Sequence, residues 1–354
     1  MRYQRIKGTR DVLPSEIERV NFVKEKARQI FSLYGYREIR TPILEPTELF
    51  VHSTGTTSDI VAKQMYTFTD LGKRSITLRP EGTPGVIRAV IENQLSLPQR
   101  LYYIEPMFRQ ERPQKGRYRE FNQIGIEAVG IGSPLIDAEV INIGVELLRS
   151  VQIINFVVEL NSIGCPICRP AFRSALLKFI KPKVVKFCPD CQMRADRNPL
   201  RIFDCKNEVC QQLLSDAPSP VDYLCSECRS HYANVKDYLK FYKIEFVENP
   251  RLARGIDYYT RTVFEIKDRH LGAQDTIIGG GRYDYLVKEL GGPDAPAIGF
   301  ALGLERLVQS MTQPEIKSGK MKTFFIIPLS ASSLPLAINL QQTIVRKCSI
   351  SLIG

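Results

Sequence analysis

The segment from Arg100 to Gly130 constrains the fold more than any other part of the chain. Its side chains alternate between two faces on either side of a polar turn at 113–118, and residues two apart on a β-strand share a face. This pattern predicts a β-hairpin. One face of the hairpin would carry Glu105, Met107, Arg109 and Glu111 on the first strand and Phe121, Gln123, Gly125 and Glu127 on the second.

The chemistry of this hairpin face indicates a bound ligand. Polar and charged groups are costly to bury without partners, so a face that is rich in them is expected to contact a polar molecule. Arg109 suits a phosphate or a carboxylate, Phe121 suits a flat ring, and Glu127 suits a cationic or N–H-bearing group. The alternative is an ordinary amphipathic hairpin with one solvated face, because alternating strands are common.

Composition narrows the class of protein. The 354 residues are 44% hydrophobic and 25% charged, which is typical of a globular protein with more than one core. No apolar run approaches the roughly 20 residues that span a bilayer, and no hydrophobic signal region follows Met1, so we expect a cytoplasmic protein without a membrane partner. The net charge of +11 favours a polyanion such as nucleic acid, although solubility alone would also account for it.

Histidine is scarce in this sequence. His52, His231 and His270 are the three histidines of the chain, and none of them belongs to a motif. We therefore expect any catalysis to depend on arginine, carboxylate and a metal-bound nucleotide.

Hydrophobic periodicity predicts the elements on either side of the hairpin. Ser15 would cap the first helix. Glu81 and Thr83 would mark a strand-to-helix turn that either holds an ammonium group or caps the helix. The predicted elements are a helix over 15–34, an extended segment over 36–50, strands over 75–79, 258–266 and 276–278, helices over 85–93, 303–311 and 335–347, and a buried strand over 323–328.

Eight of the nine cysteines fall between 161 and 243. They form four close pairs, and in a cytosolic protein such pairs favour a metal over disulfides. Two pairs together would make a tetrahedral thiolate site for zinc, but the spacing does not say which pairs combine. Small buried cysteines, or a single occupied site, are the alternatives. The pairs are Cys165 with Cys168, Cys188 with Cys191, Cys205 with Cys210, and Cys225 with Cys228.

Several motifs carry a resemblance to a known family. Phe108-Arg109-Gln110-Glu111 resembles the FRxE signature in motif 2 of the class II aminoacyl-tRNA synthetases. Residues 34–46 resemble motif 1, the dimer-forming element, and residues 299–307 resemble motif 3. Two further segments, 251–265 and 279–284, resemble the signature motifs of the histidyl-tRNA synthetases.

The resemblance implies an α+β fold, with an antiparallel class II sheet flanked by helices. A mostly helical, cysteine-rich insertion and the start of an α/β anticodon-binding domain would be added to it. We expect the C-terminal domain to be truncated. The implied domains are a catalytic domain over 1–160 and 244–312, the insertion over 161–243, a linker over 313–322 and an incomplete anticodon-binding domain over 323–354.

The resemblance also implies a histidine pocket. Glu81 and Thr83, with Gln123 beside them, would hold the α-amino group. Glu127 and Tyr259, with Tyr258 adjacent, would read the imidazole. An imidazole presents one N–H donor and one acceptor, so a carboxylate and a phenol together satisfy both nitrogens.

The implied nucleotide site is built on arginines. Arg109 and Arg306 would neutralise the ATP phosphates, Phe121 would stack on adenine, and Glu111 would help to fix the adenine edge. Arg254 would bridge the amino-acid carboxylate and the α-phosphate and is the expected catalytic residue. The hairpin loop, with Lys115, Gly116 and Arg117, would approach the tRNA acceptor end.

The activity that this resemblance implies is ATP-dependent activation of L-histidine and its transfer to tRNA(His), by a homodimer that uses Mg²⁺. Structural Zn²⁺ is expected from the cysteine pairs alone, since the family does not generally require it. One alternative is the synthetase-like regulatory subunit of histidine biosynthesis, an ATP phosphoribosyltransferase regulatory subunit that shares the fold. That paralogue typically lacks the intact arginine signature, which this chain retains. A second alternative is a noncatalytic zinc-ribbon protein that binds nucleic acid. That alternative leaves the hairpin motif unexplained.

Overall fold

The computed structural model describes residues 3–55, 58, 60–111, 116–253, 256–270, 275–311, 326 and 329–351. The chain divides into two units, Met1–Pro314 and Glu315–Gly354. In the second unit, the described residues form a short 3₁₀ turn, Ala331–Ser333, followed by helix α11, Leu334–Ser351. No helix within the described ranges is both long enough and apolar enough to cross a membrane.

The strands of the first unit are short at its edges and long at its centre. They are β1 (Arg37–Glu38), β2 (Leu44–Pro46), β3 (Tyr66–Thr69), β4 (Ser75–Leu78), β5 (Gln99–Phe108), β6 (Glu120–Val129), β7 (Phe156–Ser162), β8 (Phe246–Glu248), β9 (Thr260–Asp268), β10 (Thr276–Arg282) and β11 (Ala297–Gly303).

The helices of the first unit lie between these strands. They are α1 (Pro14–Leu33), α2 (Thr47–Thr54), α3 (Thr83–Glu92), α4 (Pro134–Ser150), α5 (Arg169–Ile180), α6 (Pro189–Arg197), α7 (Glu208–Leu213), α8 (Ser226–Phe241), α9 (Leu286–Glu289) and α10 (Leu304–Ser310), with short π and 3₁₀ turns at Ile60–Gln64, Lys181–Lys186, Pro199–Asp204 and Pro220–Tyr223.

An eight-stranded sheet forms the centre of the first unit, in the order β1-β5-β6-β11-β10-β9-β7-β8. The six inner strands pair antiparallel, while β1 beside β5 and β8 beside β7 pair parallel. The β5–β6 hairpin places Glu105 opposite Gln123 and Met107 opposite Phe121. The expected fold class is confirmed, with a parallel strand added at each edge. A smaller sheet has the order β2-β4-β3.

Helices α1 and α4 supply much of the apolar core. In α1 the buried side chains recur at three- and four-residue spacing, so they share one stripe of the helix: Val20, Val23, Ala27 and Phe31. Helix α4 is apolar on most of its surface and buries residues on every turn, which places it inside the unit and not at its edge. Between them these helices cover the sheet whose other face carries the cavity described below.

The cysteine-rich segment between β7 and β8 is mostly helical, as predicted. It contains α5 to α8 and three 3₁₀ turns, and a hydrophobic cluster of its own forms around Phe172, Leu176 and Ile202. The segment belongs to the same unit as the sheet. Its assignment as a separate inserted domain over 161–243 stays a prediction.

Some predicted boundaries are wrong. Helix α1 begins at Pro14 after Leu13, so Ser15 lies within its first turn and is not the cap. Proline suits the first helical position, because its fixed φ is helical and the N–H that it lacks would have no partner within the helix. The extended segment ends at Pro46, and residues 47–50 are helical. The linker over 313–322 and the strand predicted over 323–328 lie outside the described residues, apart from Ile326.

The prediction of which hairpin residues face a ligand is also partly wrong. Strand β5 ends at Phe108, so Arg109 and Glu111 lie beyond it. Glu105 accepts a hydrogen bond of 2.6 Å from buried Arg79, and Met107 is fully buried in an apolar cluster. The first strand therefore packs its alternating face against the protein, and only its end reaches the ligand cavity.

Candidate active site

A cavity of about 700 Å³ opens over the central sheet, between the hairpin, strands β9 to β11 and the cysteine-rich segment. It collects residues that are up to 225 positions apart in sequence, from Glu81 to Arg306. Glu127 is not among the residues that line the cavity, but it accepts a hydrogen bond from Thr83, which is. Arg254 and Lys115 are outside the described residues. The predicted site residues that line the cavity are Glu81, Thr83, Arg109, Glu111, Arg117, Phe121, Gln123, Tyr258, Tyr259 and Arg306.

One end of the cavity is built around the buried carboxyl group of Glu127. Thr83 donates a hydrogen bond of 2.7 Å to one of its oxygens, and the Tyr283 hydroxyl donates a shorter one to the other. Burial raises the pKa of Glu127 to about 8; the hydrogen bonds from Tyr283 and Thr83 oppose that rise, and the nearby charge of Glu81 adds to it. Burial therefore disfavours the charged form of this carboxyl group.

A second carboxylate, Glu81, lies at the same end. Its two oxygens accept hydrogen bonds from the Thr54 hydroxyl at 3.0 Å and the Tyr258 hydroxyl at 3.1 Å. The ring of Tyr258 packs between those of Tyr259 and Tyr283, with centroids 4.9 and 5.5 Å away. Two carboxylates and three phenols thus surround one polar pocket, which suits a small ligand with several N–H donors.

Glycines in the predicted motifs leave room for these side chains. A Cβ built on Gly299 in β11 would lie 2.0 Å from Glu127 Oε2. A Cβ on Gly281 in β10 would lie 2.9 Å from the Tyr259 ring. Glycine at these two positions therefore leaves room above the sheet for the Glu127 carboxyl group, which comes from the neighbouring strand, and for the Tyr259 ring.

The other end of the cavity holds three partly buried guanidinium groups, those of Arg109, Arg117 and Arg306, which form an arginine cluster. Arg109 donates to the Pro80 carbonyl at 2.8 Å, and Arg306 donates to the Thr276 carbonyl at 2.8 Å. Burial lowers the pKa of both arginines, and the charge of Arg117 lowers both further. Glu111 offsets part of this repulsion through an ion pair of 3.1 Å with Arg117.

This concentration of positive charge in a cavity favours an anionic ligand. A polyphosphate would relieve the repulsion among the arginines and replace the water that they lose on burial. The Arg109 guanidinium lies 5.3 Å from the centroid of the Phe121 ring, so that ring is fixed beside the charge cluster. The cavity can therefore hold a cationic, N–H-rich group at one end and phosphates with a flat ring at the other.

Sequence reasoning missed three residues that shape this site. Tyr283 lies in the predicted motif at 279–284 and follows β10 directly, so its position in the motif was the available signal. Glu305 fixes α10 to β6 by accepting from the backbone and side chain of Asn122 at 3.0 and 2.9 Å, beside Arg306. Thr54 ends α2 and had no local signal.

The eight cysteines form two groups of four. Cys165, Cys168, Cys225 and Cys228 make one group, and Cys188, Cys191, Cys205 and Cys210 make the other. The sequence left open which close pairs combine. In the structure the first pair along the chain joins the fourth, and the second pair joins the third. None of the eight is joined in a disulfide.

Comparison with known proteins places the chain in a family. A family model described as histidyl-tRNA synthetase matches residues 8–171 and 198–307, which include every described residue at the two ends of the cavity. The chain belongs to the histidyl-tRNA synthetase family. The resemblance that the sequence motifs carried is confirmed.

Individual relatives agree with this assignment. The histidine–tRNA ligase of Desulforamulus reducens is 52% identical over 86% of this chain and 73% of the relative. Apo histidyl-tRNA synthetase of S. aureus superposes with a TM-score of 0.79 at 35% identity, covering 98% of this chain and 83% of that one.

A more distant structure shares the fold alone. It is described as an ATP phosphoribosyltransferase regulatory subunit/histidyl-tRNA synthetase from Bacillus halodurans, with a TM-score of 0.65 at 23% identity. It covers 89% of this chain and 85% of its own.

Proposed function

We propose that this chain is a histidine–tRNA ligase, which activates L-histidine with ATP to histidyl-adenylate and transfers the histidyl group to tRNA(His). One observation carries the proposal. A single cavity joins a pocket of two carboxylates and three phenols to a cluster of three partly buried arginines. Family membership and the relatives named above support the same activity.

The carboxylate end would select histidine. Glu81 and Thr83, with Gln123 near them, would bind the α-ammonium group, and Glu127 with Tyr259 would bind the two imidazole nitrogens. Another amino acid would leave these buried polar groups unpaired, which is a strong basis for discrimination. Tyr283 would hold the Glu127 carboxyl group in place for the imidazole.

The arginine end would bind ATP for in-line displacement. Arg109 and Arg306 would contact the phosphates, Phe121 would stack on adenine, and Glu111 would lie at the adenine edge. The histidine carboxylate would attack the α-phosphorus, and pyrophosphate would leave. Arg254 would stabilise the charge that develops between them, so the reaction depends on positioning and electrostatics without a covalent enzyme intermediate.

Metal use divides into two roles. The family uses ATP with Mg²⁺, and the ion that accompanies the nucleotide would neutralise its β- and γ-phosphates. Glu111 offers the carboxylate oxygen that Mg²⁺ prefers at the cavity wall. We also propose that the eight clustered cysteines bind structural Zn²⁺.

Transfer to tRNA(His) would use the hairpin loop. Gly116 and Arg117 lie on the cavity wall next to the arginine cluster, and Lys115 precedes them. A net charge of +11 favours binding of the tRNA backbone. We further infer a homodimer built on the motif 1 segment and a cytoplasmic location, where thiols such as these eight stay reduced.

The test is charging of tRNA(His) with labelled histidine by the purified chain. Accumulation of histidyl-tRNA that depends on ATP and on the cognate tRNA would support the proposal. The regulatory-subunit alternative predicts a different result, namely histidine binding without adenylate formation. Measuring both adenylate and charged tRNA on the same preparation therefore separates activation from transfer.

A further inference from the structure

Each of the two cysteine groups has the dimensions of a mononuclear metal site. Within each group, all four sulfur atoms lie within 4.8 Å of one another. A tetrahedral zinc ion bound about 2.3 Å from each sulfur would separate neighbouring sulfurs by about 3.8 Å. The Cys165–Cys168 and Cys188–Cys205 sulfurs are 3.7 and 3.8 Å apart, far beyond the roughly 2.05 Å of a disulfide.

Backbone amides donate to sulfurs in both groups. The Cys225 N–H points to the Cys168 sulfur at 3.1 Å. In the second group, the N–H groups of Cys188 and Asn207 point to the sulfurs of Cys210 and Cys205 at 3.3 and 3.4 Å. Such donors stabilise the negative charge of thiolates, which are the form of cysteine that binds a metal.

We propose that the chain binds two zinc ions, one at each group, and that the two sites hold two different parts of the wall of the substrate cavity. A tetrahedral set of four thiolates is typical of structural zinc or of iron bound by sulfur, and it disfavours Mg²⁺ and Ca²⁺, which prefer oxygen ligands. Four sulfurs this close together fit a single central ion. The link to the cavity rests on the proposed function, whereas the metal stoichiometry does not.

The first zinc site would fix the carboxylate end of the cavity, where Tyr259 lies. Its ligands Cys165 and Cys168 lie between β7 and α5, and Cys225 and Cys228 lie at the start of α8. The residue after Cys168 is Arg169, whose guanidinium donates to the carbonyl oxygen of Tyr259. A metal that fixes the start of α5 therefore also fixes the backbone of a residue in the histidine pocket.

The second zinc site would fix another part of the cavity wall. Cys205 is both a proposed ligand and a lining residue, and its neighbours Phe203, Lys206 and Gln211 line the same cavity. The Gln211 amide donates to the carbonyl oxygens of Phe203 and Cys205. This wall belongs to the small hydrophobic cluster of the cysteine-rich segment, and a metal bound by the second group of cysteines would crosslink that cluster.

Metal analysis of the purified wild-type chain, after dialysis against metal-free buffer, tests the stoichiometry. We expect two zinc ions per chain, and two equivalents of zinc released as a mercurial titrates the cysteines. Reconstitution with Co²⁺ should give the visible d–d bands of tetrahedral thiolate coordination. Less than about 1.5 zinc per chain, or iron in its place, would overturn the assignment.

Paired substitutions test the two sites separately. Cys225→Ser with Cys228→Ser and Cys188→Ser with Cys191→Ser should each reduce the zinc content from two to one. Cys348, the ninth cysteine of the chain, belongs to neither group, so Cys348→Ser is the matched control and should leave the zinc content at two. Retention of both ions by either double variant would overturn the ligand assignment; if a variant does not fold, the mercurial titration of the wild-type chain still decides the stoichiometry.

Pyrophosphate exchange on the same preparations tests the link to the cavity. The one-zinc variants should show at least a tenfold rise in KM for histidine or ATP, and unchanged constants would refute the link. Two zinc ions in a wild-type chain that shows no exchange would leave the metal assignment intact and refute the proposed function. An active wild-type chain without zinc would refute the metal assignment and leave the proposed ligase activity intact.

Discussion

The hydroxyl group of Thr83 donates a hydrogen bond of 2.7 Å to the carboxyl group of Glu127, and both side chains are buried. The sequence placed these residues at different ends of the histidine substrate, with Thr83 at the ammonium group and Glu127 at the imidazole. Because a hydroxyl has one proton, Thr83 can only accept from a ligand while this bond is kept. An ammonium group, which only donates, is the matching partner. The contact therefore joins the two halves of the proposed histidine pocket.

Glu127→Gln should impair histidine recognition. The amide keeps the shape of the side chain but cannot become an anion, so its hydrogen bond to an imidazole N–H is weaker. We expect kcat/KM for histidine to fall by about 100-fold or more, with KM for ATP changed much less. Steady-state pyrophosphate exchange measures both constants. An unchanged KM for histidine would remove Glu127 from the pocket.

The same substitution should change how stability depends on pH. Burial raises the pKa of Glu127 from 4.5 to about 8, so between these values the folded state binds more protons than the unfolded state. The free energy of unfolding should therefore fall as pH rises from about 4.5 to about 8. In Glu127→Gln this contribution is absent. Urea denaturation from pH 5 to 9 should show a smaller decline for the variant, and parallel curves would contradict the raised pKa.

Arg254→Ala should reduce histidyl-adenylate formation by orders of magnitude and leave the fold intact, because the proposed role of this side chain is to stabilise charge at the α-phosphate. Single-turnover adenylate formation is the measurement. Arg149→Ala is the matched control, since that arginine lies on the surface of α4 in an ion pair with Glu146. Wild-type rates in Arg254→Ala would refute its catalytic role.

Gly299→Ala should abolish activity through packing alone. The added Cβ would lie 2.0 Å from Glu127 Oε2 and 2.3 Å from the Ile126 carbonyl oxygen, so strand or carboxyl group must shift. Gly132→Ala is the control, since the nearest atom to its added Cβ is 3.4 Å away. We expect a loss of histidine-dependent exchange and a lower melting temperature for Gly299→Ala only. Comparable activity in the two variants would mean that this close approach does not matter.

Arg79→Met should destabilise the fold strongly. Arg79 and Glu105 form a buried ion pair at 2.6 Å, and removing one partner leaves the other charge without compensation. We expect a loss of about 3–5 kcal/mol in the free energy of unfolding. The double variant Arg79→Met with Glu105→Gln should recover part of that loss in urea denaturation. A single variant as stable as the wild type would show that the pair is not a buried one in solution.

Sequence patterns within single segments predicted the secondary structure that those segments form. Alternation predicted the β5–β6 hairpin, and the three- and four-residue spacing of Val20, Val23 and Ala27 predicted α1. Family motifs then brought together residues as distant as Glu81 and Arg306, which lie at the same cavity. No periodicity in one segment could have done so.

Long-range pairings account for what the sequence did not predict. The Arg79 partner of Glu105 made a residue that looked ligand-facing into an internal ion pair. Tyr283 bonds Glu127 from 156 positions away, and no local pattern encodes that contact. The combination of the cysteine pairs depends in the same way on where β7 and α8 meet in the fold.

Exchange of labelled pyrophosphate into ATP, measured with each of the twenty amino acids in turn, tests the central claim most directly. The claim is that one cavity binds histidine beside the α-phosphate of ATP. We predict exchange that requires Mg²⁺ and depends on histidine, with the other nineteen amino acids giving at most about a hundredth of that rate. Absence of exchange with histidine, or faster exchange with a different amino acid, would contradict the account.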